Sequence, residues 1–450
     1  MSQISTKPPS GMRDFLAPDV ARRRHVVAVV QDVYESFGFV PLETPTIENL
    51  STLLGKYGPE GDQLLYRLLH RREKLQRALG GLGGGALGGG VLTEGDLADE
   101  GLRYDLTVPL ARVVANYRDL PAFYKRYQIQ PVWRADRPGR GRFREFCQCD
   151  VDITGTTSLL AEAEVCGAVA TVLRRLGFED FKILVNHRQV LRGLVAKVTD
   201  VAHEGRVLTS LDKLDKVGAE AVIAEMVAGG VAAAAAAEVL AIIEGLKRPD
   251  GGVPEADFAP EAFSALRELF AMAAAGPAGP HVRFDPTLAR GLSYYTGPIF
   301  EIAVPGLAGS CGGGGRYDEL IGMFLGKPVP AVGFSLGLER LLLVMEERKM
   351  FPELAAGPEV LLCRFPDVPA AEAVRVASLL RAAGRRVEVY PDADKLGKQL
   401  GYATTVGARF AAILGRAELD AGTLTVKHLG KGEQRAVPIA EVAETLAGWS

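Results

Sequence analysis

The run from Tyr127 to Gly155, YQIQPVWRADRPGRGRFREFCQCDVDITG, constrains the fold more than any other stretch. A strand turns successive side chains to opposite faces. On a first arm this groups Gln128, Gln130, Val132 and Arg134 against Ile129, Pro131 and Trp133. A second arm groups Gln148, Asp150 and Asp152 against Cys147, Cys149, Val151 and Ile153. Between the arms lie Arg137, Arg140, Arg142 and Arg144, punctuated by Pro138, Gly139 and Gly141. The pattern predicts a long hairpin with an arginine-dense tip. One face of it is too polar for an ordinary core. Buried carboxylates at Asp150 and Asp152 need partners, because an unpaired buried charge is costly. A bound cationic ligand would serve for them, and the tip arginines suit phosphate. The alternative is an exposed edge hairpin with solvated charges.

Composition limits the partners. The chain has 450 residues, 48% of them hydrophobic and 24% charged, with a formal net charge of −3. That length allows two or three domains. Without a basic excess, any contact with nucleic acid must be local. Five cysteines, scattered and odd in number, do not read as a disulfide framework. Cys147 and Cys149 lack a second pair of metal ligands and read as small core residues, so no fixed metal site is expected. The start, MSQISTKPPSGMRDF, has no apolar signal core, and no run approaches a membrane span. The expectation is a cytoplasmic protein without membrane association.

Along the chain, residues 19–37 predict a helix with an apolar stripe, closed by Gly38. An extended edge segment broken by Pro41 and Pro45 follows. Gly83, Gly85 and Gly88 fit G-x-G-x-x-G formally, but neither a leading strand nor a proper helix flanks them; a flexible loop is expected. Residues 102–107 alternate into a helix that Thr107 should cap, with Pro109 in its first turn. Asp105 and Thr107 are acceptors at that junction, suited to an ammonium group. A helix over 157–176 and a strand over 181–186 come next. Residues 187–275 then read as alanine-rich helices. LARGLSYYTGPIFEIAV (288–304) alternates again, and SCGGGGRYDEL (310–320) reads as a backbone-rich turn. Arg340 sits in the first turns of a helix that follows a small-residue strand. From 358 onward, strands and helices alternate as a small α/β domain.

Together these segments resemble the histidyl-tRNA synthetases, which are class II aminoacyl-tRNA synthetases. PTIE is similar to that class's motif 1, VWRADRPGRGRFREFCQCDVD to motif 2 and GFSLGLER to motif 3. LARGLSYYTGPIFE and GGGGRYDEL resemble the two histidine-specific segments, with Ser293 where Asp is usual. The resemblance implies an α+β fold: an antiparallel class II sheet core with a helical insertion, plus a C-terminal α/β anticodon-binding domain. In this chain that means a catalytic core over 1–185 and 281–350, an insertion over 186–280, a linker over 351–357 and the anticodon-binding domain over 358–450. It implies a homodimer that joins L-histidine to histidine tRNA through a histidyl-adenylate, using ATP with Mg²⁺.

By the same resemblance Arg134 and Arg290 are catalytic. Asp105, Thr107 and Gln148 hold the α-amino group, Asp152 and Tyr295 bracket the imidazole, and Tyr294 completes the histidine site. Arg134, Arg142, Arg144, Phe146 and Arg340 bind ATP. A related regulatory subunit of ATP phosphoribosyltransferase is the rival, but such proteins lack the tail domain and lose the arginines kept at 134, 290 and 340.

Overall fold

The computed structural model describes residues 4–80, 94–289, 294–307 and 309–449. The glycine-rich stretch at 81–90, Arg290 and Ser293 lie outside the described residues. Two compact units divide the chain, Met1–Asp14 with His25–Met350 and Phe15–Arg24 with Phe351–Ser450.

The first unit is built on an eight-stranded sheet. In chain order its strands are β1 (Val40–Pro41), β2 (Tyr124–Trp133), β3 (Glu145–Thr154), β4 (Lys182–His187), β5 (Val282–Phe284), β6 (Pro298–Ala303), β7 (Gly312–Arg316) and β8 (Ala331–Gly337). Across the sheet they run β1-β2-β3-β8-β7-β6-β4-β5. Only the outer pairs, β1–β2 and β4–β5, are parallel. The predicted hairpin is β2 and β3, paired antiparallel with Gln128 opposite Asp150 and Arg126 opposite Asp152. It lies inside the sheet rather than at an edge. The cysteine face is buried, with Cys149 fully enclosed and the Tyr34 hydroxyl donating to its carbonyl at 3.4 Å.

The four glycines predicted as a turn form instead the central strand β7, between β6 and β8. Crowding explains the composition. A Cβ on Gly314 would lie 2.0 Å from the Gly333 carbonyl oxygen, and one on Gly333 would lie 1.8 Å from Asp152 Oδ1. Contacts that short are excluded, so only bare backbone fits. Strand character is also narrower than predicted at 288–304, where among the described residues only Pro298–Ala303 form a strand.

Helices from Arg188–Val198 to Pro260–Ala274 fill the connection between β4 and its parallel neighbour β5. A buried cluster ties them inward: Leu191, Leu194, Val207 and Val239 share it with Tyr294, Tyr295 and Tyr317. In the second unit a five-stranded sheet has its strands Val360–Arg364, Val387–Val389 and Phe410–Leu414 parallel and its last two antiparallel. Apolar clusters cover both of its faces, as expected where helices pack on a parallel sheet.

Candidate active site

The polar face of the hairpin floors a cavity of about 260 Å³. Asp105, Thr107, Arg134, Arg142, Phe146, Gln148, Asp152, Tyr294, Tyr295 and Arg340 all line it. Residues up to 235 positions apart in the chain thus meet over β3, β7 and β8 (Asp105 to Arg340). Arg144 does not line it: its Nε donates to the Asp136 carbonyl at 3.0 Å and one terminal nitrogen to the Ser10 carbonyl at 3.4 Å.

Asp105 is set by a helix start. Its Oδ1 accepts from the Val108 N–H at 3.0 Å and from the Tyr57 hydroxyl at 3.1 Å. Asp105, not Thr107, therefore satisfies one of the open N–H groups of helix Thr107–Asn116, that of Val108, and Thr107 is its first residue. A short strand, Ala98–Leu102, ends just before Arg103. That buried guanidinium donates to the carbonyls of Thr44 at 2.6 Å and Pro131 at 2.8 Å, and to Gln130 Oε1 at 2.9 Å. It pins the Asp105 segment to the hairpin. Burial holds the Asp105 carboxyl above its ordinary range.

The two hairpin carboxylates differ. Asp152 has a protein partner: the fully buried Arg126 approaches its Oδ2 at 2.8 Å. The Tyr317 hydroxyl donates to its Oδ1. Arg126 is anchored in turn on the Leu106 carbonyl at 3.1 Å and Gln128 Oε1 at 3.2 Å. Asp152 therefore has protein partners in addition to its place on the cavity wall. Sequence reasoning missed Arg126, although it shares the parity of Gln128 and stands one residue before the stretch considered. It missed Tyr317 because 165 positions separate it from Asp152.

Asp150 is 2% exposed, lines the same cavity, and its Oδ1 has no hydrogen-bond partner among the described residues. Burial pushes its carboxyl up to about 7, with the Asp152 charge adding to the rise. A folded-state value above the unfolded one favours the protonated fold. The stability it confers is full below the unfolded value near 3.8 and lost as pH rises through about 7. Asp150→Asn is therefore expected to gain more folding free energy at pH 8 than at pH 5, by about 2 kcal/mol. Urea unfolding at the two pH values checks this, and equal gains at both would refute it.

At the other end, Arg340 donates to the Ser310 carbonyl and, at 3.4 Å, to the Gly141 carbonyl. Arg134 lies with its guanidinium carbon 4.2 Å from the Tyr104 ring centre and 5.1 Å from that of Phe146. The site thus has an acidic, tyrosine-lined end and an arginine-lined end.

Comparison with known proteins gives the family. The model of the histidyl-tRNA synthetase family matches residues 97–341, and that of the anticodon binding domain matches 366–449. This chain belongs to the histidyl-tRNA synthetase family. A histidine–tRNA ligase of Cytophaga hutchinsonii is 38% identical to this family member over 97% of this chain and 98% of the relative. One of Gloeobacter violaceus is also 38% identical, over 100% of this chain and 99% of its own. Among solved structures, a histidyl-tRNA synthetase from Nostoc sp. superposes with a TM-score of 0.78 at 29% identity, covering 99% of this chain and 100% of the other. The α+β architecture, with a largely antiparallel core sheet and a C-terminal anticodon-binding domain, is that of the histidyl-tRNA synthetases.

Proposed function

We propose that this chain ligates L-histidine to its cognate tRNA in two steps, first forming histidyl-adenylate and pyrophosphate from histidine and ATP. The observation that carries the reading is the single cavity, in a chain of this family, where Asp105, Gln148, Asp152 and the tyrosines face Arg134, Arg142 and Arg340. Asp105, Thr107 and Gln148 hold the α-ammonium. Asp152 and Tyr295 meet the two imidazole nitrogens, with Tyr294 closing the wall. A site that hydrogen-bonds both nitrogens rejects apolar analogues by about 10⁴ without editing.

The histidine carboxylate attacks the α-phosphate, so negative charge grows where two anions meet. Arg134 offsets it, together with Arg290, whose surroundings lie outside the described residues. Fixed donors stabilise such charge without reorganising during the reaction. Phe146 stacks on adenine, while Arg142 and Arg340 take the distal phosphates. Arg144 acts on ATP through the loop backbone instead. Mg²⁺ bound with ATP would supply positive charge to the phosphate oxygens, and Asp136 and Glu339, which line that end, are the carboxylates that would complete its shell. In the second step the tRNA 3′ ribose takes the histidyl group.

The same reading makes the enzyme a cytoplasmic homodimer. Val40 on the edge strand β1 and the nearby Phe123 are exposed, a pattern suited to a subunit contact; sedimentation as a monomer would remove this part. Among the described residues no helix is long and apolar enough to cross a membrane. The purified chain is expected to exchange pyrophosphate into ATP only when histidine is present among the amino acids tried. Absence of exchange with histidine and Mg²⁺ rejects the enzyme reading.

A further inference from the structure

The segment 9–13 precedes the first helix and is partly exposed, yet it is tied to the cavity wall in several ways. A turn brings the Met12 N–H to the Pro9 carbonyl at 3.0 Å. The Gly11 carbonyl then accepts from the Arg144 N–H at 2.8 Å, and the Arg144 carbonyl accepts from the Arg134 N–H at 2.9 Å. Arg13 lays its guanidinium on the face of Phe143, 3.3 Å from the ring centre. The same group stands 3.8 Å from Glu339, whose other oxygen accepts the Cys147 N–H at 2.9 Å. Phe143, within the arginine-bearing loop, and Glu339, in the first turn of the helix that carries Arg340, both line the cavity. Gly11 has φ +80°, and a Cβ there would lie 2.8 Å from Arg144 Cγ and 2.9 Å from Pro138 Cγ. The close fit shows that the strap and the loop are shaped to one another.

We propose that residues 9–13 are a positioning strap for the nucleotide end of the site, with Arg13 as a positioning residue acting through Phe143 and Glu339. The inference rests on the ATP-dependent reading above. A loop rich in arginines repels itself and moves unless it is fixed, and small misplacements of phosphate-binding groups are costly in rate. The strap supplies that fixation from outside the pocket, without touching substrate. It acts on Arg134, Arg142 and the Glu339–Arg340 turn, and leaves the acidic end alone.

The test uses the full chain with Arg13→Ala and Gly11→Val. In histidine-dependent exchange the KM for ATP should rise about tenfold, the order of a cation–π contact with its partner charge, while the KM for histidine stays within about twofold. Amide hydrogen exchange over residues 134–146 should quicken in both variants. Arg13→Lys keeps a charge near Glu339 but no flat group for Phe143, and should restore only part of the ATP affinity. Unchanged ATP KM and unchanged amide protection overturn the strap, as does an equal rise in both KM values. Should the wild-type chain itself show no exchange, the activity reading fails and amide protection alone decides the strap.

Discussion

Arg134→Ala is expected to lower kcat/KM for histidine-dependent exchange by about 10²–10³, with little change in unfolding temperature. The side chain is held ready before substrate arrives. Its Nε donates to the Tyr104 carbonyl at 3.0 Å, and the guanidinium is flanked by the rings of Tyr104 and Phe146. No described residue claims its terminal nitrogens in a hydrogen bond, so they remain available over the cavity. A donor oriented in advance loses little on reaction, which is why removing one costs so much. Arg134→Lys should recover only a fraction, because an ammonium lacks the planar fork that spans two anionic oxygens. Near-normal exchange by the alanine variant would remove Arg134 from the chemistry.

A second large effect is expected at the Arg126–Asp152 pair. Both side chains are buried and 2.8 Å apart. Removing either one leaves the other as an uncompensated buried charge, which costs about 3–5 kcal/mol. Arg126→Met and Asp152→Leu should each lose that much in denaturant unfolding. The double variant should regain most of the loss, since two apolar groups of similar volume need no solvation. Activity should follow a different rule. Asp152 also meets the imidazole in the proposed function, so histidine-dependent exchange should stay lost in the double variant. Simple addition of the two stability losses would show that the pair is not coupled. Recovery of exchange in the double variant would remove Asp152 from histidine recognition.

The pair also shows which parts of the site were legible beforehand. Alternation is a local property, so the faces of the hairpin could be written down from 127–155 alone, and the cavity is floored by the face so assigned. The same holds for the alternating strands and helices after 358. The start of the helix at 107 was legible only in part: its position was right, but the N–H of Val108 goes to Asp105, three positions before it, rather than to Thr107, and the Tyr57 hydroxyl that meets the same oxygen lies 48 positions away.

Chemistry carried within a few residues was therefore determined by the sequence itself: the polar face of Gln148, Asp150 and Asp152, the arginine-bearing loop and the small-residue entry to Arg340. Tertiary structure alone decided what those groups touch. It placed Arg126 under Asp152, brought Tyr317 to the same carboxylate, joined Glu162 to Arg316 at 2.6 Å and turned four glycines into a central strand. The Arg126 contact follows from the register of the hairpin, whereas the others depend on strands far apart in the chain, which are brought together by burial of the whole sheet rather than by any local preference.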